Sequence, residues 1–177
     1  PVTKATTVHI PVILGAVVFG PMAGAVLGGT FGMCSLISNT ITPNLTSFAF
    51  SPFMSNTGLS GAVKALWISV GCRILIGVIA GWLWIALKKL RVRDTVALSI
   101  AGFVGSMSNT VLVMGSIYLL LAQQYAEAKN VGVSAVMGLI MTTVAVNGIP
   151  EAIAAMLLVA AIGTALLKVA GMSSKSR

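Results

Sequence analysis

Apolar residues fill this chain in long runs, and a few polar interruptions divide it into segments. The first run, residues 8–19, carries no Lys, Arg, Asp or Glu and is too short to cross a bilayer upright. It stops at Gly20-Pro21, a turn signal, and a second apolar run occupies residues 21–38. The pattern predicts two short antiparallel helices with a tight Phe19-Gly20-Pro21-Met22 connection; one long helix kinked at Pro21 is the alternative. Gly20, Gly24, Gly28 and Gly32 recur every fourth residue and so share one face of the second helix. Such a strip lets a neighbouring helix approach closely in lipid. Residues 39–61 are rich in Ser, Thr, Asn and Pro yet carry Phe48, Phe50, Phe53 and Met54. An outer loop of that composition is expected to fold back as a lid or pocket wall. Three longer helices follow, over residues 62–88, 94–122 and 131–169, with an outer loop at 123–130. The last is expected to be interrupted near Gly148-Ile149-Pro150.

Composition turns this pattern into a class. The chain has 177 residues, 57% hydrophobic and only 8% charged, against about 25% charged in ordinary soluble domains. It is an all-α, polytopic membrane protein forming a single integral membrane domain, and its length allows roughly five to seven crossings. No length remains for a soluble catalytic or nucleotide-binding domain. The net charge of +8 comes from scattered residues between apolar runs, which argues against a nucleic-acid partner. The chain opens at Pro1 on a polar, threonine-rich stretch without a basic n-region or cleavage site, so it is not a signal peptide. A preceding segment, up to a whole helix, is expected before it.

Charge also orients the bundle. Lys88, Lys89, Arg91 and Arg93 form one cluster, and by the positive-inside rule that loop is cytoplasmic. Lys168, Lys175 and Arg177 put the C-terminus on the same side, and residues 39–61 and 123–130 outside. Asp94 is expected to cap the helix that follows. Trp67, Trp82 and Trp84 suit interface anchoring. Cys34 and Cys72 are expected to be buried as small hydrophobes, and no Cys/His cluster suggests a metal. His9, at a membrane boundary, suits an interfacial or capping role. The sequon-like Asn44-Leu45-Thr46 carries no functional expectation.

Few ionisable or amide residues lie at membrane depth, where leaving them in lipid is expensive and a functional role is the default hypothesis. Arg73 lies in the third helix. Asn109 lies near the middle of the fourth, with Ser106, Gly102 and Gly105 nearby on the same side. Asn147 and Glu151 stand four apart on the last helix, with Thr143 one turn earlier, in a single polar stripe. The bland counterpart is an interhelical network, with Arg73 paired to Glu151, that only holds the bundle together. The asparagines sit among small residues that leave room for a guest. Met33, Met107 and Met114 could line a pocket, with plain packing the preferred reading. A proteolytic centre finds no residue set here, because the chain has one His and one Asp. A channel would want filter or charge rings. A pocket for a small polar solute remains, in a chain with no energy source of its own.

The run His9-Ile10-Pro11-Val12-Ile13-Leu14-Gly15 followed by Gly20-Pro21-Met22-Ala23-Gly24 resembles the second and third helices of substrate-binding S components of energy-coupling factor (ECF) transporters. Ser47-Phe48-Ala49-Phe50-Ser51-Pro52-Phe53, Gly105-Ser106-Met107-Ser108-Asn109-Thr110 and Asn147-Gly148-Ile149-Pro150-Glu151 continue the likeness across essentially the whole chain. Within the family it is most similar to the pantothenate-specific members, with hydroxymethylpyrimidine and folate members as neighbours. The resemblance implies a six-helix fold whose first helix this sequence lacks, in a bacterial cell membrane with cytoplasmic termini. It implies a non-catalytic vitamin-binding subunit without a cofactor of its own. Its partners would be a transmembrane coupling subunit and two cytoplasmic ATPases that use ATP and Mg, and it would topple in the membrane to deliver the vitamin. On that basis Arg73, Asn109, Asn147, Glu151, Phe50 and Ser69 are the expected substrate-binding residues. Gly20, Gly24 and Gly28 are the expected docking residues. Arg73 would hold the pantothenate carboxylate, and Asn109 and Asn147 its amide and hydroxyls, with Glu151 orienting Arg73 or Asn147. The alternatives are a hydroxymethylpyrimidine or folate S component, a stand-alone facilitator, or a structural membrane subunit.

Overall fold

The computed structural model describes residues 8–44, 46–54 and 58–171. Lys175, Arg177 and the Leu45 of the sequon-like triplet lie outside the described residues. Among those described, every regular element is helical: α1 (His9–Phe19), α2 (Pro21–Ile41), α3 (Gly58–Leu66), α4 (Cys72–Lys89), α5 (Asp94–Lys129), α6 (Val133–Thr143) and α7 (Ile149–Val169). Two π-helical turns, Trp67–Gly71 and Val144–Gly148, join α3 to α4 and α6 to α7. Four continuous helical stretches are therefore long and apolar enough to cross a membrane: Pro21–Ile41, Gly58–Lys89, Asp94–Lys129 and Val133–Val169. The protein is a multi-pass helical membrane bundle.

The turn at Gly20 is a true chain reversal. Gly20 has φ +93°, a conformation that costs an L side chain but not glycine, and Pro21 then starts α2 with its ring already set for a helix. Hence α1 and α2 form the antiparallel pair, not one kinked helix; a Cβ on Gly24 would fall 2.6 Å from that of Ala16. The short α1 is buried on nearly every side, against α2, α4, α5 and α7. His9 is buried with it.

The glycine strip faces α4. A Cβ on Gly28 would lie 2.1 Å from the Arg73 carbonyl oxygen, and one on Gly24 would lie 2.6 Å from that of Gly77. Gly32 meets the Ser69 carbonyl in the same way. Backbones at this separation tolerate no side chain, so Gly24 and Gly28 are buried in an interface within the chain. Gly20, half-buried at the turn, stands outside that contact.

Several boundaries differ from those expected. The helix expected to end near residue 122 does break there, at Leu121 with φ −136°. Residues 123–129 then resume as helix after this kink, because Gln, Ala, Glu and Lys are good helix formers. Tyr125 and Ala126 turn inward, and Asn130, in the left-handed region with φ 53°, ends the helix. The loop after α2 starts at residue 42, and α3 starts at Gly58. Asp94 is the first residue of α5 and not its cap. It pairs with Lys88 across the intervening turn, where Arg91 takes φ 56°. Trp84 is a core residue, whereas Trp67 and Trp82 are exposed. Cys34 is exposed, Cys72 buried.

Two apolar clusters fill the interior. One joins Ile13, Ala16 and Val17 of α1 with Ile76, Ala80, Ala101, Ala155 and Val159. The other joins Ala49 of the loop with Ile68, Cys72, Val113, Ile117, Tyr125, Val136 and Ile140. The path of each long helix through both clusters places the polar residues. Arg73 stands between Cys72 and Ile76, Asn109 between Ala101 and Val113, and Asn147 between Ile140 and Ala155.

Candidate ligand-binding site

At the junction of the two clusters lies a cavity of about 260 Å³ lined by Phe50, Arg73, Asn109, Thr110, Val113, Met114, Thr143, Asn147, Gly148 and Glu151. Its size suits a small solute, just below the usual range of drug-sized pockets, which begins near 300 Å³. Five of the six expected binding residues line it. The sixth, Ser69, is fully buried behind Arg73 and does not reach the cavity.

The π turn before α4 explains how Arg73 is held. Widening the helix leaves carbonyls open to donors other than the regular backbone amides. Arg73 Nη1 donates to two of these, Ile68 O at 2.7 Å and Ser69 O at 3.1 Å. Ser69 thus acts through its backbone. The guanidinium carbon lies 5.0 Å from the ring centre of Phe31 and 5.2 Å from that of Phe50. Two aromatic faces and two carbonyls fix the cation in place at 7% exposure. None of Arg73's hydrogen bonds goes to a carboxylate, so the Arg73–Glu151 pair considered from sequence is not formed. Its Nε is buried without a partner.

Asn109, on α5, also has a buried Oδ1 without a hydrogen-bond partner. Buried polar atoms of this kind are rare, because each forfeits its hydration with nothing in return. Two residues that line the cavity, Arg73 and Asn109, thus hold one unpartnered donor and one unpartnered acceptor. Asn147 lies within the second π turn and Glu151 in the first turn of α7. There the π turn and Pro150 interrupt the regular ladder, which is the interruption expected near Gly148. Gly148 packs on Thr110, its would-be Cβ 2.8 Å from the threonine methyl, which draws α7 close to α5 at the cavity wall.

The loop delivers Phe50. Asn39 at the end of α2 accepts from Ser47 Oγ (3.0 Å) and Asn44 Nδ2 (3.4 Å), and Thr40 and Ser51 hydroxyls meet at 2.8 Å. Asn44 Oδ1 accepts from the Thr46 amide and hydroxyl, both at 2.9 Å, so the sequon-like residues build a local turn. This network folds the loop onto the bundle with Ser47, Ala49 and Ser51 buried and Phe50 over Arg73. Beyond Phe50 and Arg73, which line both spaces, a wider chamber of about 750 Å³ opens among Phe31, Cys34, Ser38, Asn39 and Thr46.

The sequence did not single out Phe31, Thr110 or Val113, and for Met114 it left a pocket role open but favoured packing. Phe31 carries the one usable signal: it is the aromatic residue set into the glycine strip that faces the helix of Arg73. Thr110, Val113 and Met114 follow Asn109 around the next turn of α5, but nothing local separates them from core residues.

Two comparisons bear on the chain as a whole. The family model described as "ECF transporter, substrate-specific component" matches residues 1–163. The pantothenic acid transporter PanT of Lactococcus lactis subsp. cremoris (strain MG1363) is 36% identical over 167 residues, which cover 93% of this chain and 79% of that protein.

Proposed function

This chain belongs to the substrate-specific components of ECF transporters, and from that premise we propose that it captures pantothenate from outside the cell and hands it to a shared transmembrane coupling subunit driven by two cytoplasmic ATPases. The observation that carries the substrate is Arg73: a buried, immobilised cation facing a small cavity, hydrogen-bonded only to carbonyls and with Nε unpaired. A buried charge is stable only when compensated. Pantothenate supplies a carboxylate for Arg73, and its amide N–H and hydroxyls supply the donors that Asn109 Oδ1 lacks. The likeness to a pantothenic acid transporter supports the same choice. A neutral pyrimidine would leave Arg73 uncompensated.

In this scheme Phe31 and Phe50 hold the guanidinium, the Ile68 and Ser69 carbonyls aim it, and Asn147 reads the hydroxyl end. The wider chamber behind Phe50 is the approach from outside, and the basic turn at Lys88–Arg93 and the C-terminus face the cytoplasm. The subunit performs no covalent chemistry; ATP and Mg belong to its partners. Calorimetry of the purified protein with pantothenate tests the substrate. Saturable binding with one site per chain is expected, weakened by about tenfold to a hundredfold in Arg73→Ala. A variant that still binds with unchanged affinity would sink the assignment.

A further inference from the structure

The cavity holds two opposite charges that are not each other's partners. Arg73 comes from α4 and Glu151 from α7; both helices pack on α5 and scarcely touch one another. The two groups therefore reach the cavity from different sides, and Arg73 spends its hydrogen bonds on the Ile68 and Ser69 carbonyls. We propose that Glu151 is a specificity-determining residue: its carboxylate admits a monoanion whose far end donates hydrogen bonds and rejects a ligand with a second negative charge there. This rests on pantothenate being the ligand.

The chemistry follows from what a carboxylate can do. Ionised, it only accepts, so the ligand group beside it must donate. Asn147, one turn before Glu151, lines the same wall, and its amide NH₂ can satisfy the oxygen lone pairs of a hydroxyl. Thr143 donates its own proton to the Leu139 carbonyl at 2.8 Å and can only accept. A carboxylate or phosphate at that end would face a like charge in a space too small to hold much screening water, where Coulomb repulsion is far stronger than in bulk. The site would thus take the free vitamin and refuse a derivative made anionic at its terminal hydroxyl.

Three ligands of nearly equal shape separate charge from size: pantothenate, the analogue with its terminal CH₂OH oxidised to carboxylate, and the analogue carrying CH₂NH₃⁺ there. With wild-type protein, calorimetry is expected to show the dicarboxylate binding at least about thirtyfold more weakly than pantothenate and the amine at least as tightly as pantothenate. Glu151→Gln, which removes charge and keeps shape, is expected to bring the dicarboxylate within about threefold of pantothenate. An unchanged ratio in that variant overturns the proposal. So do equal affinities of the wild type for the two analogues, a result that stands even if the variant fails to fold. If pantothenate itself does not bind, the substrate assignment falls and takes this inference with it. Pantothenate binding with charge-blind discrimination sinks this inference alone.

Discussion

In the proposed site, the contact that would discriminate most among ligands falls to Arg73. Its guanidinium is placed before any ligand arrives, held by two carbonyls and two aromatic rings, so little conformational entropy remains to be lost on binding. Charged hydrogen bonds contribute about 1.5–3 kcal/mol, and Arg73→Ala is therefore expected to weaken pantothenate binding by about tenfold to a hundredfold. Its ligand-free melting temperature should not fall, because truncation also removes a buried cation. Arg73→Lys keeps the charge but loses the planar group that stacks between Phe31 and Phe50, and it should recover only part of the affinity. Asn109→Ala removes one acceptor from the ligand; a loss of about fivefold to tenfold is expected, near the net value of about 1 kcal/mol for a single hydrogen bond. Titration calorimetry on the three variants orders them. A larger loss at Asn109 than at Arg73 would move the anion away from α4.

At the scale of elements, the contact of α2 with α4 decides whether the site exists at all. Gly28 lies against the Arg73 carbonyl itself, so any side chain there must push α4, and the guanidinium with it, away from Phe31. Gly28→Ala is expected to destabilise the fold by about 1–3 kcal/mol, the usual cost of overpacking. Gly29→Ala, one position along, meets only the Ile74 side chain at 3.6 Å and should be nearly neutral. Thermal unfolding in one detergent compares them directly; equal melting temperatures would show that the helices separate without cost. The π turns are the second device at this scale. Each inserts a wider turn beside a cavity residue, Arg73 after the first and Asn147 within the second. Deleting Ala145 should restore a regular helix and rotate α6 relative to α7. Pantothenate binding is expected to disappear while the protein still purifies as a folded species with unchanged helical circular dichroism.

For the whole molecule, the described residues hold four helical stretches long and apolar enough to cross a membrane, and the proposed function places the energy source in partner subunits. Co-expression with a coupling subunit and two ATPases is expected to yield a stable four-protein complex, and tagged protein isolated without them should bind pantothenate but not transport it. Uptake by liposomes containing this chain alone would instead favour a stand-alone facilitator. Orientation is checked by substituting Leu90 or Phe53 with cysteine in a Cys34→Ser background. Impermeant maleimide is expected to label position 53 in intact cells and position 90 only after lysis.

Hydropathy, turn residues and charge placement determined on their own that this is a helical membrane protein, roughly where its segments lie, and which few polar side chains sit at depth. Those properties are local, because burying a charge or an amide in lipid is costly whatever the neighbours are. Arg73, Asn109, Asn147 and Glu151 were legible for that reason. Which faces meet was not legible, since a helix period shows that residues share a side but not what stands opposite. The tertiary structure alone decided that the glycine strip closes on α4, that Arg73 is stacked between Phe31 and Phe50 and not paired with Glu151, and that Ser69 serves through its carbonyl. It also decided the π turns, which depend on packing across the bundle and leave no mark in the spacing of apolar residues.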